Sequence, residues 1–176
     1  MSTEVWMIRH GETEWSANGR HTGTTDLPLT ERGRAEARAL FERIASTSFA
    51  AVLVSPRARA LQTAEVAGIP RSAIEIEPDL AEWDYGDYEG LTSDEIRAER
   101  PGWTIWNGDP VGGETAAQVR ARAQRVIDRV LAIEGRVLLV GHGHMLRVVA
   151  LTWLDLPTED GGRFALATAT ISVLGF

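Results

Sequence analysis

Three short apolar runs, each broken off at a glycine or proline turn, constrain this 176-residue chain more than any other feature. Val5-Trp6-Met7-Ile8 stops at Arg9-His10-Gly11. Ala50-Ala51-Val52-Leu53-Val54 stops at Ser55-Pro56, and Val137-Leu138-Leu139-Val140 stops at Gly141-His142-Gly143-His144. Runs of this length suit buried strands better than helices. Ile74-Glu75-Ile76 alternates like another short strand, and Thr170 to Leu174 reads as a last one. Helices fall between them. Thr30 caps a helix, with Glu31 in its first turn, that runs through Ala35, Ala39, Leu40 and Ile44. A second helix is predicted from about Arg57 to Ala67. Thr92-Ser93-Asp94-Glu95 has the capping-box pattern. The longest helix is expected over 114–133, with Val119, Ala123, Val126, Ile127 and Val130 on one face, and another through Leu146, Val149, Ala150 and Trp153. Residues 11–29 read as a loop and 79–113 as irregular. The alternation predicts an α/β fold, a three-layer α/β/α sandwich with a mostly parallel central sheet. No linker or repeat divides the chain, so residues 1–176 are expected to form a single domain.

In such a sheet the C-terminal ends of the strands line one edge, where ligands bind. Three strand ends then bring Arg9 and His10, Arg57 and Arg59, and His142 and His144 toward one crevice. Arg57 and Arg59, two residues apart, do not face the same way on a helix, and Arg59 is retained as the site residue. Gly11 lets the backbone turn and a ligand approach closely. Arginines and histidines gathered in this way suit a phosphate dianion. Composition sharpens the choice. All 18 basic residues are arginine, so Schiff-base lysines and lysine-based phosphate sites are excluded, and with no cysteine there is no thiol nucleophile, disulfide or thiolate metal site. The net charge of −7 gives no reason to expect nucleic acid or an anionic membrane as partner. No apolar run is long enough to span a bilayer and no secretory segment is visible, so a cytoplasmic location is expected. His142-x-His144 has the spacing of some metal sites but lacks a well-spaced third ligand, and neither a metal nor a cofactor is expected.

The chemistry follows from the residue types. His10 is the candidate nucleophile, attacking phosphorus with one ring nitrogen unprotonated while the other donates its proton to a backbone carbonyl. The arginines and a protonated His142 would stabilise charge on the transferring phosphoryl group. Glu82, in Leu80-Ala81-Glu82-Trp83-Asp84-Tyr85-Gly86, is the candidate acid, with neighbouring apolar rings expected to raise its pKa. It would next act as base on the water that breaks the phosphohistidine. Trp83 and Tyr85 are candidates to line the substrate mouth. Glu12 and Glu14 are expected to be structural partners of arginines, and His21 a loop residue.

These residues also carry a resemblance. Ile8-Arg9-His10-Gly11-Glu12-Thr13 resembles the signature of the histidine phosphatase superfamily, the phosphoglycerate-mutase-like proteins. Ser55 to Ala64 resembles its second motif, and Leu80 to Gly90 its acid-bearing loop. Gly112-Gly113-Glu114-Thr115 and Val140-Gly141-His142-Gly143 resemble the remaining two, all in family order. The resemblance implies that His10 carries the phosphoryl group, that Arg9, Arg59 and His142 form the phosphate pocket, and that Glu82 donates the proton. It implies substrate contacts at Thr22 and Gly23, and at Ser16, which stands where the family usually has asparagine. Tyr85, Gly143 and His144 complete the candidate substrate-binding set. Trp83-Asp84 follows Glu82 where mutases carry basic residues, so the chain most resembles the branch of mycobacterial-type acid phosphatases and sedoheptulose-1,7-bisphosphatases. The implied activity is a metal-independent phosphomonoesterase acting on a small phosphorylated metabolite. The alternatives are a phosphoglycerate mutase and a silent phosphate-binding regulatory module. If Arg20 or Arg97 faces the pocket, a bisphosphate is accommodated. An edge strand or a tryptophan-bearing surface leaves a homodimer open.

Overall fold

The computed structural model describes residues 3–175. Its centre is a five-stranded sheet of β1 (Glu4–Arg9), β2 (Ala51–Val54), β3 (Ile74–Ile76), β4 (Arg136–Gly141) and β5 (Ile171–Leu174), in the order β3-β2-β4-β1-β5. The first four are parallel, and β5 pairs antiparallel with β1 at the edge. The helices are α1 (Glu14–Ala17), α2 (Glu31–Arg38), α3 (Phe41–Ala45), α4 (Ala58–Val66), α5 (Ser93–Glu99), α6 (Ala116–Leu131) and α7 (Gly143–Trp153).

Strand β4 shows why the layers form. Side chains alternate across a strand, and Val137 and Leu139 enter one apolar cluster while Leu138 and Val140 enter another. All four are fully buried, as expected for a parallel strand covered on both faces. The larger cluster packs against Val119, Ala123, Val126 and Val130 of α6 and Met145, Leu146 and Val149 of α7. The smaller takes Ile44 of α3 and Ala60 and Ala64 of α4. The predicted α/β/α sandwich is therefore present. Among the described residues no helix is long and apolar enough to cross a membrane.

Two local expectations change, and the direction of the last strand is settled. The helix predicted from Thr30 through Ile44 is two helices. Thr30 accepts from the Gly33 N–H as expected, but Leu40 N bonds Ala37 O at 3.1 Å, a tightened turn that ends α2 before α3 begins. The loop over 11–29 contains α1, capped reciprocally by Thr13 and Ser16. The last strand runs against its neighbour. After α7 the chain climbs back to the site edge, where Ala169 N bonds Arg9 O at 2.9 Å, and β5 descends from there.

Candidate active site

Strands β2, β4 and β1 are neighbours, so their C-terminal ends deliver Ser55, His142 and His10 side by side. His10 N bonds Gly141 O and Ser55 N bonds Val140 O, both at 2.9 Å, which continues the ladder one residue past each strand. His10 Nδ1 donates to Gly11 O at 2.8 Å, leaving Nε2 as the unprotonated nitrogen. The ring is 5% exposed, and burial together with the Arg59 and Arg9 guanidiniums pushes its pKa down to about 3. Gly11 is required for a reason other than ligand approach. A Cβ there would stand 2.4 Å from the Gly33 carbonyl oxygen at the start of α2. Gly11 N donates to Thr63 Oγ1 at 3.0 Å, which in turn donates to Arg59 O at 2.7 Å, tying the His10 turn to α4.

Arg59 is wholly buried, and all three of its nitrogens donate within the protein. NH1 donates to Thr25 O at 2.9 Å, NH2 to Thr22 O at 2.8 Å, and Nε to His142 Nδ1 at 3.1 Å. Glu89 holds the same loop from its other side, accepting from Gly23 N and Thr25 N at 2.9 Å. An acceptor at His142 Nδ1 places that ring's proton on Nε2, which donates to Ser55 Oγ at 2.7 Å. The protonated His142 expected from the sequence is thus corrected to a neutral imidazole. Its pKa lies well below the usual value, chiefly through burial and then through Arg59. The His10 and His142 rings meet edge to face at 5.1 Å.

Glu82 follows β3 through two short turns and ends at the start of α7. Oε1 accepts from Trp83 N at 2.9 Å and Met145 N at 2.8 Å, whereas Oε2 accepts only from His144 N at 3.0 Å among the described residues. The helix N-terminus, rather than a shell of rings, holds this carboxylate. Oε2, with the fewer donors, is the oxygen with room for a proton. The acid loop itself is anchored by Arg122, which forks onto Glu114 at 2.8 and 2.7 Å and donates to Asp79 O and Ala81 O. Glu114 Oε2 also accepts from Asp84 N at 3.0 Å. This explains the Gly-Gly-Glu block as the brace of the Glu82 loop. Replacing Arg122 by methionine is expected to cost about 2–3 kcal/mol in urea unfolding, below the range for a fully buried pair because the two side chains are 13% and 23% exposed.

The pocket between these elements has a volume of about 150 Å³. Arg9, His10 and Glu82 line it, with Ser16, Thr22, Tyr85, Gly143 and His144 of the expected substrate-binding set. Gly23 does not line it and contributes its carbonyl to Arg59 instead. Arg59 and His142 lie behind His10 rather than in the pocket wall. The Ser16 hydroxyl is spent on the α1 cap, accepting from Thr13 N and donating to Thr13 O. Trp83 is a core residue, fully buried with its indole N–H on Glu114 O at 2.8 Å. Arg20 reaches the pocket, but its NH1 is held by Gly90 O at 2.6 Å and Glu95 at 3.3 Å. Arg97 is bound to Trp103 O and Asp94 and does not line the pocket. The paired histidines face different partners, for His144 Nδ1 meets Tyr85 OH at 2.6 Å.

Three pocket residues escaped the sequence reading: Gly19, His21 and Arg147. His21 is a loop residue as expected, but it is buried and lines the pocket, its Nδ1 donating to Leu91 O at 2.8 Å and its ring stacked on His144. Arg147 stands one turn beyond His144 on α7, and the i, i+3 spacing from His144 was the available signal.

A nucleophile-ready imidazole, an arginine and a carboxylate around one small polar pocket at the edge of a parallel sheet define a class of phosphoryl-group enzymes. The family model for the histidine phosphatase superfamily (branch 1) matches residues 5–176, and the chain belongs to that superfamily. It is 43% identical to the acid phosphatase of Mycobacterium tuberculosis, over 97% of this chain and 85% of that protein. Identity is 35% with the sedoheptulose 1,7-bisphosphatase of Saccharomyces cerevisiae, over 87% and 68%. A phosphoglycerate mutase-like protein of Photorhabdus laumondii is 33% identical, over 96% and 83%. A solved structure of a Mycobacterium tuberculosis open reading frame superposes with a TM-score of 0.91 at 40% identity, covering 99% of this chain and 91% of that one.

Proposed function

We propose that this protein is a metal-independent phosphomonoesterase that hydrolyses a small phosphorylated metabolite, such as a sugar phosphate, through a phosphohistidine on His10. The observation that carries the reading is the His10 tautomer, with Nδ1 locked on Gly11 O and Nε2 bare beside Arg9 and Glu82. Nε2 attacks phosphorus and the P–O bond to the alcohol breaks. Arg9 takes charge on the phosphoryl oxygens, since its Nε is buried without a partner among the described residues while NH1 is held by Leu166 O at 2.6 Å. Glu82 gives the proton of Oε2 to the leaving alkoxide, then takes a proton from the water that attacks the phosphohistidine. Arg59 and His142 act from behind: burial, and after it Arg59, keeps His10 neutral, and His142 fixes Arg59. The residue after Glu82 is a buried tryptophan, followed by Asp84, whose Oδ1 is engaged with Gly86 N. Neither position carries the basic side chain that the resemblance places there in mutases, which favours hydrolysis.

The test is phosphate release from a panel of phosphate monoesters in the presence of EDTA. Glu82→Gln is expected to lower kcat by roughly 10²–10⁴-fold on esters of poor leaving alcohols. The loss should shrink for a phenolic leaving group that needs no proton. A uniform loss across leaving groups would remove Glu82 from the proton-donor role.

A further inference from the structure

Arg147 has no task in the chemistry proposed above, yet it lines the pocket. Its Nε is buried with no hydrogen-bond partner among the described residues. Its guanidinium carbon lies 5.9 Å from the centre of the Trp106 ring, which supports the flat group on one side. The other pocket arginine at the mouth, Arg20, has its NH1 held by Gly90 O and Glu95. Burial and then the Arg9 guanidinium disfavour the Arg147 cation, and the Glu82 carboxylate offsets only part of that, so an arriving anion would be favoured here.

Position on the helix says which part of the substrate would meet it. Glu82 Oε2, the oxygen assigned to the leaving alcohol, is fixed by His144 N in the first turn of α7. The remainder of the alcohol then extends over that turn, between His144 and Tyr85. Arg147, three residues past His144, is the next side chain on the same face. His144 is neutral, its pKa lowered by burial and by Arg147, so it offers hydroxyl contacts and no competing charge.

Building on the phosphomonoesterase reading, we propose that Arg147 is a specificity residue that binds a second anionic group carried by the leaving alcohol. The substrate is then a small phosphate ester bearing a further phosphate or carboxylate. The two sources share an oxyanion that a guanidinium can fork.

The experiment compares alkyl phosphates of graded chain length ending in hydroxyl, carboxylate or phosphate. Wild-type kcat/KM should be higher for the anionic termini than for the hydroxyl. In Arg147→Gln that ratio should fall by about 10- to 150-fold, the range of one charge-assisted hydrogen-bonded contact. Arg147→Lys should keep part of it, because charge remains and the fork is lost. Whether the carboxylate or the phosphate series shows the larger fall identifies the group. An unchanged ratio, with all esters losing activity together, overturns the proposal and assigns Arg147 to the reacting phosphate or to structure. Calorimetry with non-hydrolysable alkyl monophosphonates and α,ω-bisphosphonates reads the same preference without turnover. A lost binding preference in Arg147→Gln alongside absent hydrolysis would therefore separate a correct anion site from a wrong catalytic reading. An unchanged binding preference overturns the site directly.

Discussion

Replacing His10 by alanine is expected to lower kcat by at least about 10⁴-fold on every phosphate ester, the order seen when a catalytic nucleophile is removed. The expectation rests on covalent catalysis, not on binding alone. Arg9, Glu82 and Arg147 remain in the variant, so substrate still enters, but no atom can take the phosphoryl group from the ester. Rapid acid-free quenching of the wild type during turnover, followed by mass spectrometry, should find a phosphoryl group on the peptide containing His10 and none in the variant. Circular dichroism distinguishes lost chemistry from lost folding. Retention of more than about a tenth of wild-type turnover would sink the phosphohistidine route. The same geometry predicts the pH profile. Because burial and two guanidiniums push His10 down to about 3, the free enzyme keeps Nε2 unprotonated throughout the mildly acidic range. The acid limb of kcat/KM above pH 4 should therefore not report His10.

Acid is expected to destabilise the protein steeply, and the buried histidines are the cause. His10, His21, His142 and His144 are all pushed below their ordinary pKa, first by burial in each case. A depressed folded-state value means that the unfolded chain binds more protons once pH drops below about 6.5, so stability present at neutral pH is lost as pH falls toward the folded value. For His10 alone, a drop from 6.5 to about 3 corresponds, at about 1.36 kcal/mol per unit, to about 5 kcal/mol between neutral pH and pH 3. That is comparable with the whole stability of a typical domain, about 5–15 kcal/mol. Urea unfolding followed by tryptophan fluorescence should show the midpoint falling from pH 7 to pH 4.5. His10→Ala should flatten the curve by removing one of the titrating groups. Added inorganic phosphate should raise the midpoint, because a ligand of the native state alone stabilises it by mass action. A midpoint that stays level between pH 7 and 4.5 would mean these imidazoles are not held neutral by the fold.

What the sequence determined by itself is local. Strand runs end where glycine, proline and histidine interrupt apolar residues, and the 3.6 and 2 periodicities mark which faces are buried. That was enough for the α/β/α layers, for the convergence of His10, Arg59 and His142, and for naming Glu82. The capping box at Thr92 was equally legible, since its partner Glu95 lies three residues away. The break between α2 and α3 was not, because Ala39 and Leu40 suit a helix interior as well as its end.

Tertiary structure decided whatever depends on partners distant along the chain. The neutral state of His142 follows from Arg59 and Ser55, 83 and 87 residues away. Glu82 owes its setting to backbone N–H groups of α7, 62 and 63 residues on, and no residue type near Glu82 announces them. The antiparallel β5 depends on where residues 154–170 return to the site edge, since a strand's own sequence does not encode its direction in a sheet. The same holds for the arginines. Arg20, Arg97 and Arg147 look alike as sequence, and only packing spends the first two on carbonyls and carboxylates while leaving the third facing the pocket with its Nε unmatched.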